Sequence, residues 1–524
     1  MRAIVAAMAM AAFALPAFSQ VTFTVGNSGE PQTLDPQIAY SLPEQRITLA
    51  LFENLLSYDA KSGDPQPGLA ETWVQSADGL SWTITLRQNV SWSDGTPITA
   101  QTVVDSWLRE LDPDTGAPYV SLLTDLIKGA AEYNAGKAAA KDVFLKAVDD
   151  RTVQFTTLFP APFVPDLLPQ SAFSVVPLHV IKAHPKDWTL PENFVGNGPF
   201  LLKEWTPQAR IVLEKNPRYW DEKSVRVDRL VYLPLEDVDA AYAMYVKGDI
   251  DWSASPPPAD KLAEAKRKPD YVLSPALGTY YYELNTTKAP FNDPRVRKAF
   301  ALAVNRAELL GKIIQAGQVP AYSLTPPLAG RFPYSPPQGV GESAEKARKL
   351  LAEAGYAGGK GFPKVRLLYD TNDQHRLIAE ALRDRWQHVL GVAVELADQE
   401  WGAFLQTRRT GSMGGYDLLR SGWMADYRDP FAFLSLFSSD NRALNDGGYS
   451  SGAYDVLLQK ANSLPDGPDR MKAFQSAEDL LVDQDLAILP LYFYVSQNMV
   501  ALSKWGGWYP NVLDVHPPKY IFRK

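Results

Sequence analysis

Between Val365 and Trp423 the apolar residues switch repeatedly between a period near two and a period near 3.6. VRLLY from Val365 reads as a strand, 373–390 as a helix, VAVEL from Val392 as a strand, 400–409 as a helix and YDLLRSGW from Tyr416 as a strand. Strands alternating with helices admit few solutions, because the helices must cover the faces of a sheet; this part of the chain is an α/β domain. Its last strand runs into RSGWMADYRDP, Arg420 to Pro430, and Asp429-Pro430 opens a further apolar helix, FAFLSLF. Ligands of α/β folds collect at such junctions, outside the carboxyl ends of the strands. Trp423, Asp426 and Tyr427 stand there, and a carboxylate between aromatic rings can hold a cation out of water.

A chain of 524 residues exceeds what one core supports, so two or three domains are expected. With 46% apolar and 21% charged residues it has an ordinary globular composition, and a net charge of −8 argues against nucleic acid as a partner. The 13 Trp, 24 Tyr and 22 Phe are numerous enough that some must line clefts, where their polar tips find partners. There is no cysteine, which excludes disulfides, thiol catalysis, thiolate metal sites and a lipid anchor. The five histidines lack metal-ligand spacing. Arg2, the apolar run Ala3 to Leu15 and Ala17-Phe18-Ser19 form a secretory leader over residues 1–19, with cleavage before Gln20. The run is too short to span a bilayer, so the mature chain is expected to be exported and soluble.

Along the chain, VTFTVGN from Val21 alternates as a strand and 43–58 has helical spacing. Trp82, Ile84 and Leu86 alternate between two turn signals, and Thr99 caps a helix running to Leu111, with Asp105 and Glu110 read as its solvated face. FPAPFVPDLLP is too rich in proline for a long helix and reads as a return to the first lobe. FLLKEW, RIVLEK and VDRLVYLPL are strands, LGTYYYELNTT from Leu277 is a strand, and ILPLYFYV is a buried strand. Proline connectors near 160–177 and 254–258 suggest that the chain crosses between lobes more than once, as in hinged molecules.

Catalytic motifs are weak. GYSSG, Gly448 to Gly452, matches a nucleophile elbow, but the elbow needs a buried strand before its serine, and NRALNDGG is polar. GGKG at Gly358 precedes a strand, the wrong side for a phosphate loop. No cofactor or metal is implied, and no enzyme.

Several stretches together resemble the periplasmic oligopeptide-binding proteins of ABC importers: GNSGEPQTLDPQ, GLAETWVQSADGLSWTITLRQNVSWSDGTPITA, LDPDTGAPY, GNGPFLLKEW with RIVLEKNPRYWD, YYYELNTTKAPFNDPRVRKAFALAVNR, VPAYSLTPP and RSGWMADYRDP. They follow one another from Gly26 past Pro430. The resemblance implies a periplasmic binding-protein fold of the two-lobed, type II (cluster C) kind, built from three domains with mixed sheets. Domain I would comprise 20–50, 176–276 and 488–524, domain II 51–175, and domain III 277–487. It implies a monomeric receptor that holds a short peptide as an added strand and passes it to a permease in the inner membrane. Asp426 falls where the family places the carboxylate that pairs with the peptide's ammonium, a group of pKa near ~8 and so charged at neutral pH. Glu30 and Tyr119 match residues touching the ligand, and Trp423, with Met424 and Ala425 beside it, walls a side-chain pocket. Arg408, Arg420 and His375 match basic positions that receive the carboxylate of peptides of different length. Where some members carry a lysine, this chain has Ile314, with Lys312 two residues away. The rival readings are the same fold binding a murein peptide, an opine or an oligosaccharide, and a secreted hydrolase using Ser450.

Overall fold

The computed structural model describes residues 20–330, 333–410 and 415–524; the leader expected over 1–19 lies outside them. Two long strands organise the molecule. Tyr271–Leu284, 14 residues, runs antiparallel to Ile488–Val500, 13 residues, in the middle of one eleven-stranded sheet. Beyond Tyr271–Leu284 come Leu418–Met424, Val365–Asp370 and Val394–Gln399; beyond Ile488–Val500 come Trp252–Ser253, Thr22–Gly26, Arg229–Leu233, Arg210–Lys215 and Phe200–Thr206, and the short strand Val319–Pro320 pairs with Ile488–Val500 off this path. The sheet is mixed, since Val365–Asp370 is parallel to both its neighbours while the two long strands are antiparallel.

Apolar packing divides this sheet into two lobes. One core gathers Phe23, Ile47, Trp107, Phe173, Leu230 and Trp508; others, built from Tyr280, Phe300, Leu367 and Trp386 and from Tyr281, Phe433, Tyr454 and Phe474, lie beyond the crossing. The long strands belong to both sides. Tyr271 to Pro275 pair with Met499 to Val495, and Thr279 to Glu283 pair with Phe493 to Ile488, with a register slip between the two runs. A bulge bends and twists a strand, so the chain passes from lobe to lobe through a local irregularity. Gly278 sits in it because nothing larger fits: a Cβ would lie 2.2 Å from Met424 Sδ and 2.6 Å from the Trp423 carbonyl oxygen. Gly278→Ala should therefore cost about 1–3 kcal/mol through overpacking. Urea unfolding measures this, and an unchanged midpoint would show that the crossing is not tightly packed.

The first lobe carries a separate four-stranded antiparallel sheet, ordered Ala70–Gln75, Ser81–Leu86, Thr152–Thr156 and Leu145–Ala147. Its alternating buried side packs on the helix Ala100–Leu111, which Thr99 caps through the Thr102 amide. In the second lobe the strand and helix order read from the sequence is present. The helix Asp373–Leu390 is capped by the Asn372 side chain, which accepts from the amides of Gln374 and His375, and it ends at Gly391 with φ of 72°.

Three expectations need correction, and a fourth needs extension. The helix proposed over 43–58 stops at Leu51, because the apolar residues that follow enter the hairpin of Leu56–Tyr58 with Pro65–Pro67. The strand expected from Leu277 begins at Tyr271, held through Pro275 by its long partner. Glu110 is not solvated. It lies on the same helix face as Val103 and Trp107, fully buried, and burial raises its pKa to about 9, so it is a neutral acid. Finally, FPAPFVPDLLP does more than return the chain to the first lobe: Phe159 and Phe163 pack on Tyr427 and Phe431 of the second.

Candidate functional site

The strand Leu418–Met424 sets the site. On one side it pairs along its whole length, Leu418 opposite Leu284 through Met424 opposite Gly278. On the other side only Leu418 and Leu419 have partners, Leu367 and Leu368. Arg420 to Met424 thus present a backbone edge with no strand against it among the described residues, a ready template for an added strand. Alternation then assigns side chains to faces. Arg420, Gly422 and Met424 share the face of Tyr280 and Tyr282; Ser421 and Trp423 share the face of Tyr281 and Thr279.

Just past this edge stands Asp426, half-buried, with no hydrogen bond or ion pair to its carboxylate among the described residues. Burial alone raises its pKa to about 6. Capping of the following helix, the structural role open to an acid here, belongs instead to Asp429, whose Oδ1 accepts from the Phe431 amide at 2.9 Å. The first lobe approaches Asp426 through Tyr58 and Tyr119. Burial raises both phenols, and the Asp426 charge raises them further. Gln170 donates to the Asp426 carbonyl oxygen at 2.5 Å. Tyr58 and Gln170 also line a cavity of about 90 Å³, partly open to solvent, whose other walls include Gln45, Arg46, Trp252 and His516.

The loop holding Asp426 is fixed from both lobes. Tyr427 stacks on Phe163 at 4.6 Å between ring centres. Arg428 reaches across to Asp166 Oδ1 at 2.8 Å and Asp64 Oδ1 at 2.7 Å. Asp429 turns into the second lobe, where Arg470 grips it with two bonds of 2.6 and 2.9 Å, both side chains fully buried. Asp426 is the acid of this segment left without a cation among the described residues.

A second cluster lies on the Arg420 face. Arg420 Nη1 is 3.2 Å from Asp370 Oδ1, and His375 Nδ1 is 3.0 Å from the same oxygen. The guanidinium lies over the Tyr280 ring, 4.9 Å from its centre. Burial, then the Arg420 charge, pushes the His375 pKa down against the pull of Asp370, so the imidazole is neutral at pH 7.

The structure thus brings Asp426 and Tyr119 together, and Arg420 and His375 together. Arg408 is elsewhere: it bonds to Asp446 at 2.7 Å and to Ser421, on the opposite face of the strand from Arg420. Buried Glu283 stands beside that pair, its pKa raised to about 7 by desolvation and by Asp446. Glu30 has both oxygens occupied within the first lobe, by Trp205 Nε1 at 2.8 Å and by the Gln208 amide at 3.2 Å. Trp423 donates to the Ala432 carbonyl, Met424 is 53% exposed at the strand end, and Ala425 is buried with its amide bonded to Leu277. Lys312 is solvent-facing and paired with Glu308, while Ile314 is in the core. Ser450 is exposed and bonded to Ser439, with a loop rather than a strand before it, so the elbow geometry is absent. Sequence reasoning missed Asp370, Arg428 and the Asp429–Arg470 pair. The Asp-Pro start of FAFLSLF was the available signal for Asp429.

Residues 64–445 match the family model described as bacterial extracellular solute-binding proteins, family 5 middle. The chain is 39% identical over 495 residues to the periplasmic oligopeptide-binding protein OppA of Escherichia coli strain K12, covering 93% of this chain and 89% of that one. Among solved structures it superposes with a TM-score of 0.84 on the unliganded open form of the periplasmic murein tripeptide-binding protein MppA, at 33% identity and with 96% and 97% of the two chains covered. With Haemophilus influenzae OppA in complex with the peptide RPPGFSPFR the TM-score is 0.75, at 31% identity and with 96% and 99% covered.

Proposed function

The chain belongs to the bacterial extracellular solute-binding proteins of family 5, and we propose that it is a periplasmic receptor that captures short peptides by backbone and amino end and hands them to an ABC transporter permease. The observation that carries this reading is Asp426, a desolvated carboxylate between the lobes with no cation of its own among the described residues. A buried acid keeps its charge only against a partner, and a peptide's ammonium is such a partner. The unpaired edge from Arg420 to Met424 supports a ligand lying as an added strand. Asp426 stands six positions after Arg420, at most ~20 Å of extended chain, which suits a guest of up to about six residues.

In this reading the chain is exported and acts as a monomer. Domain I holds 20–50, 176–276 and 488–524, domain II holds 51–175, and domain III holds 277–487. Domain III closes on the first lobe by bending where the long strands cross. The TM-score of 0.84 against an unliganded open form supports a resting state with the cleft accessible. Tyr119 packs on the start of the peptide, Trp423 and Met424 wall side-chain space, and hydrated pockets accept varied side chains. The receptor does no chemistry on its cargo.

Calorimetry with one peptide, free and N-acetylated, tests the reading. The free amine should bind and the acetylated form should not. The ammonium selects ionised Asp426, whereas below pH 6 the unliganded acid holds a proton that binding must displace. Affinity for the free peptide should therefore fall about tenfold per pH unit below about 6. Equal binding of the two peptides, or an affinity flat from pH 7 to pH 4.5, would remove Asp426 from the site.

A further inference from the structure

At the far end of the open strand edge, Arg420 already has a counter-ion. Asp370 ends the parallel strand Val365–Asp370, and its Oδ1 lies between Arg420 Nη1 at 3.2 Å and His375 Nδ1 at 3.0 Å. The three side chains are only 13%, 13% and 14% exposed for Asp370, Arg420 and His375, so water does little to separate these charges. Tyr280 lies under the guanidinium, with the imidazole tilted against its ring at 5.6 Å between ring centres, and Tyr494 stands beside Arg420. With His375 neutral, one positive and one negative charge cancel. A peptide carboxylate arriving at Arg420 therefore meets a neutral cluster with an acid at its centre, not a free cation.

We propose that Asp370 is a specificity-determining residue that withholds Arg420 from the ligand's terminal carboxylate, so that the receptor reads the amino end of a peptide and leaves its carboxyl end unread at this position. The proposal rests on the reading of the Arg420–Met424 edge as the peptide track. Its consequence is a substrate class. Peptides whose chain continues past Arg420, or whose carboxyl end is amidated, bind as well as those ending there in a free acid. Asp370 would act as a fixed negative charge within a few ångströms of any incoming carboxylate, and a like charge at that range disfavours the ionised guest.

The experiment is calorimetry on the full chain with tri-, tetra- and pentaalanine, each as free acid and as carboxyl-terminal amide. In the unaltered protein acid and amide should agree within about twofold at every length. Asp370→Asn keeps the side-chain shape and removes the charge. It should tighten the acid of the length that reaches Arg420 about tenfold, the effect of one neighbouring charge, and leave the amides unchanged. In the double variant Asp370→Asn with Arg420→Gln the gain should vanish, which separates a charge effect from a rearranged loop. An acid-to-amide ratio in Asp370→Asn unchanged at every length overturns the proposal, as does a gain that persists without Arg420. N-acetylated tetraalanine reads the other premise. If it binds like the free amine, the orientation of the peptide is wrong, whatever Asp370 does.

Discussion

Asp426→Asn is expected to weaken binding of a peptide with a free amino terminus by about 2–5 kcal/mol, the range for truncating one partner of an enclosed charge pair. The same change should make the unliganded protein more stable at pH 7. Burial holds the folded-state pKa of Asp426 at about 6, above its ordinary 3.8. A carboxyl group raised on folding binds protons more readily in the folded state, so its contribution favours folding at low pH and is lost as pH climbs from about 4 through 6. Asparagine removes that penalty and breaks no bond, since the carboxylate has no partner among the described residues. Affinity falling while stability rises marks a group kept for its ligand. A structural residue would lower both. Calorimetry and thermal unfolding on one preparation separate the cases, and unchanged affinity in Asp426→Asn would end the amine-site assignment.

What the sequence disclosed depended on how local the signal was. The helix Asp373–Leu390 announces itself by periodicity, by Asn372 before it and by Gly391 after it, and the structure places it at those residues. The strand from Tyr271 was half hidden, because Pro275 and Gly278 argue locally against a strand and only the distant partner at 488–500 outweighs them. Glu110 was misread for a related reason. Its charge suggested solvent, while its spacing from Val103 and Trp107 placed it on the buried face. At the site, Asp426 stood out as an acid among aromatics, but its sequence neighbours Arg428 and Asp429 could not be sorted into roles. Their partners Asp166, Asp64 and Arg470 are far away in the chain. The same holds for Arg408 and Arg420. Both are basic residues near one strand, and only the pairing register shows that they lie on opposite faces.

Arg470→Ala should be the most destabilising single change at the site. Arg470 and Asp429 are both fully buried, joined by two parallel bonds, and Asp429 also caps the helix that begins at Phe431. Removing the guanidinium leaves a carboxylate enclosed in protein without a counter-charge, at a cost of about 3–5 kcal/mol. The contact of the Arg470 guanidinium over the Phe474 ring would be lost as well. The effect should not stay local. Asp429 is the second-lobe anchor of the loop whose Tyr427 and Arg428 are held by the first lobe, so a loosened Asp429 also releases Asp426. Arg470→Ala should therefore lower both the urea midpoint and the affinity for a free-amine peptide. The double variant Arg470→Met with Asp429→Asn removes both charges, fills most of the volume and keeps a side-chain oxygen to accept from the Phe431 amide. It should recover most of the lost stability and, with Asp426 back in place, most of the affinity. If the double variant were no more stable than Arg470→Ala, the cost would lie in lost packing, not in a stranded charge.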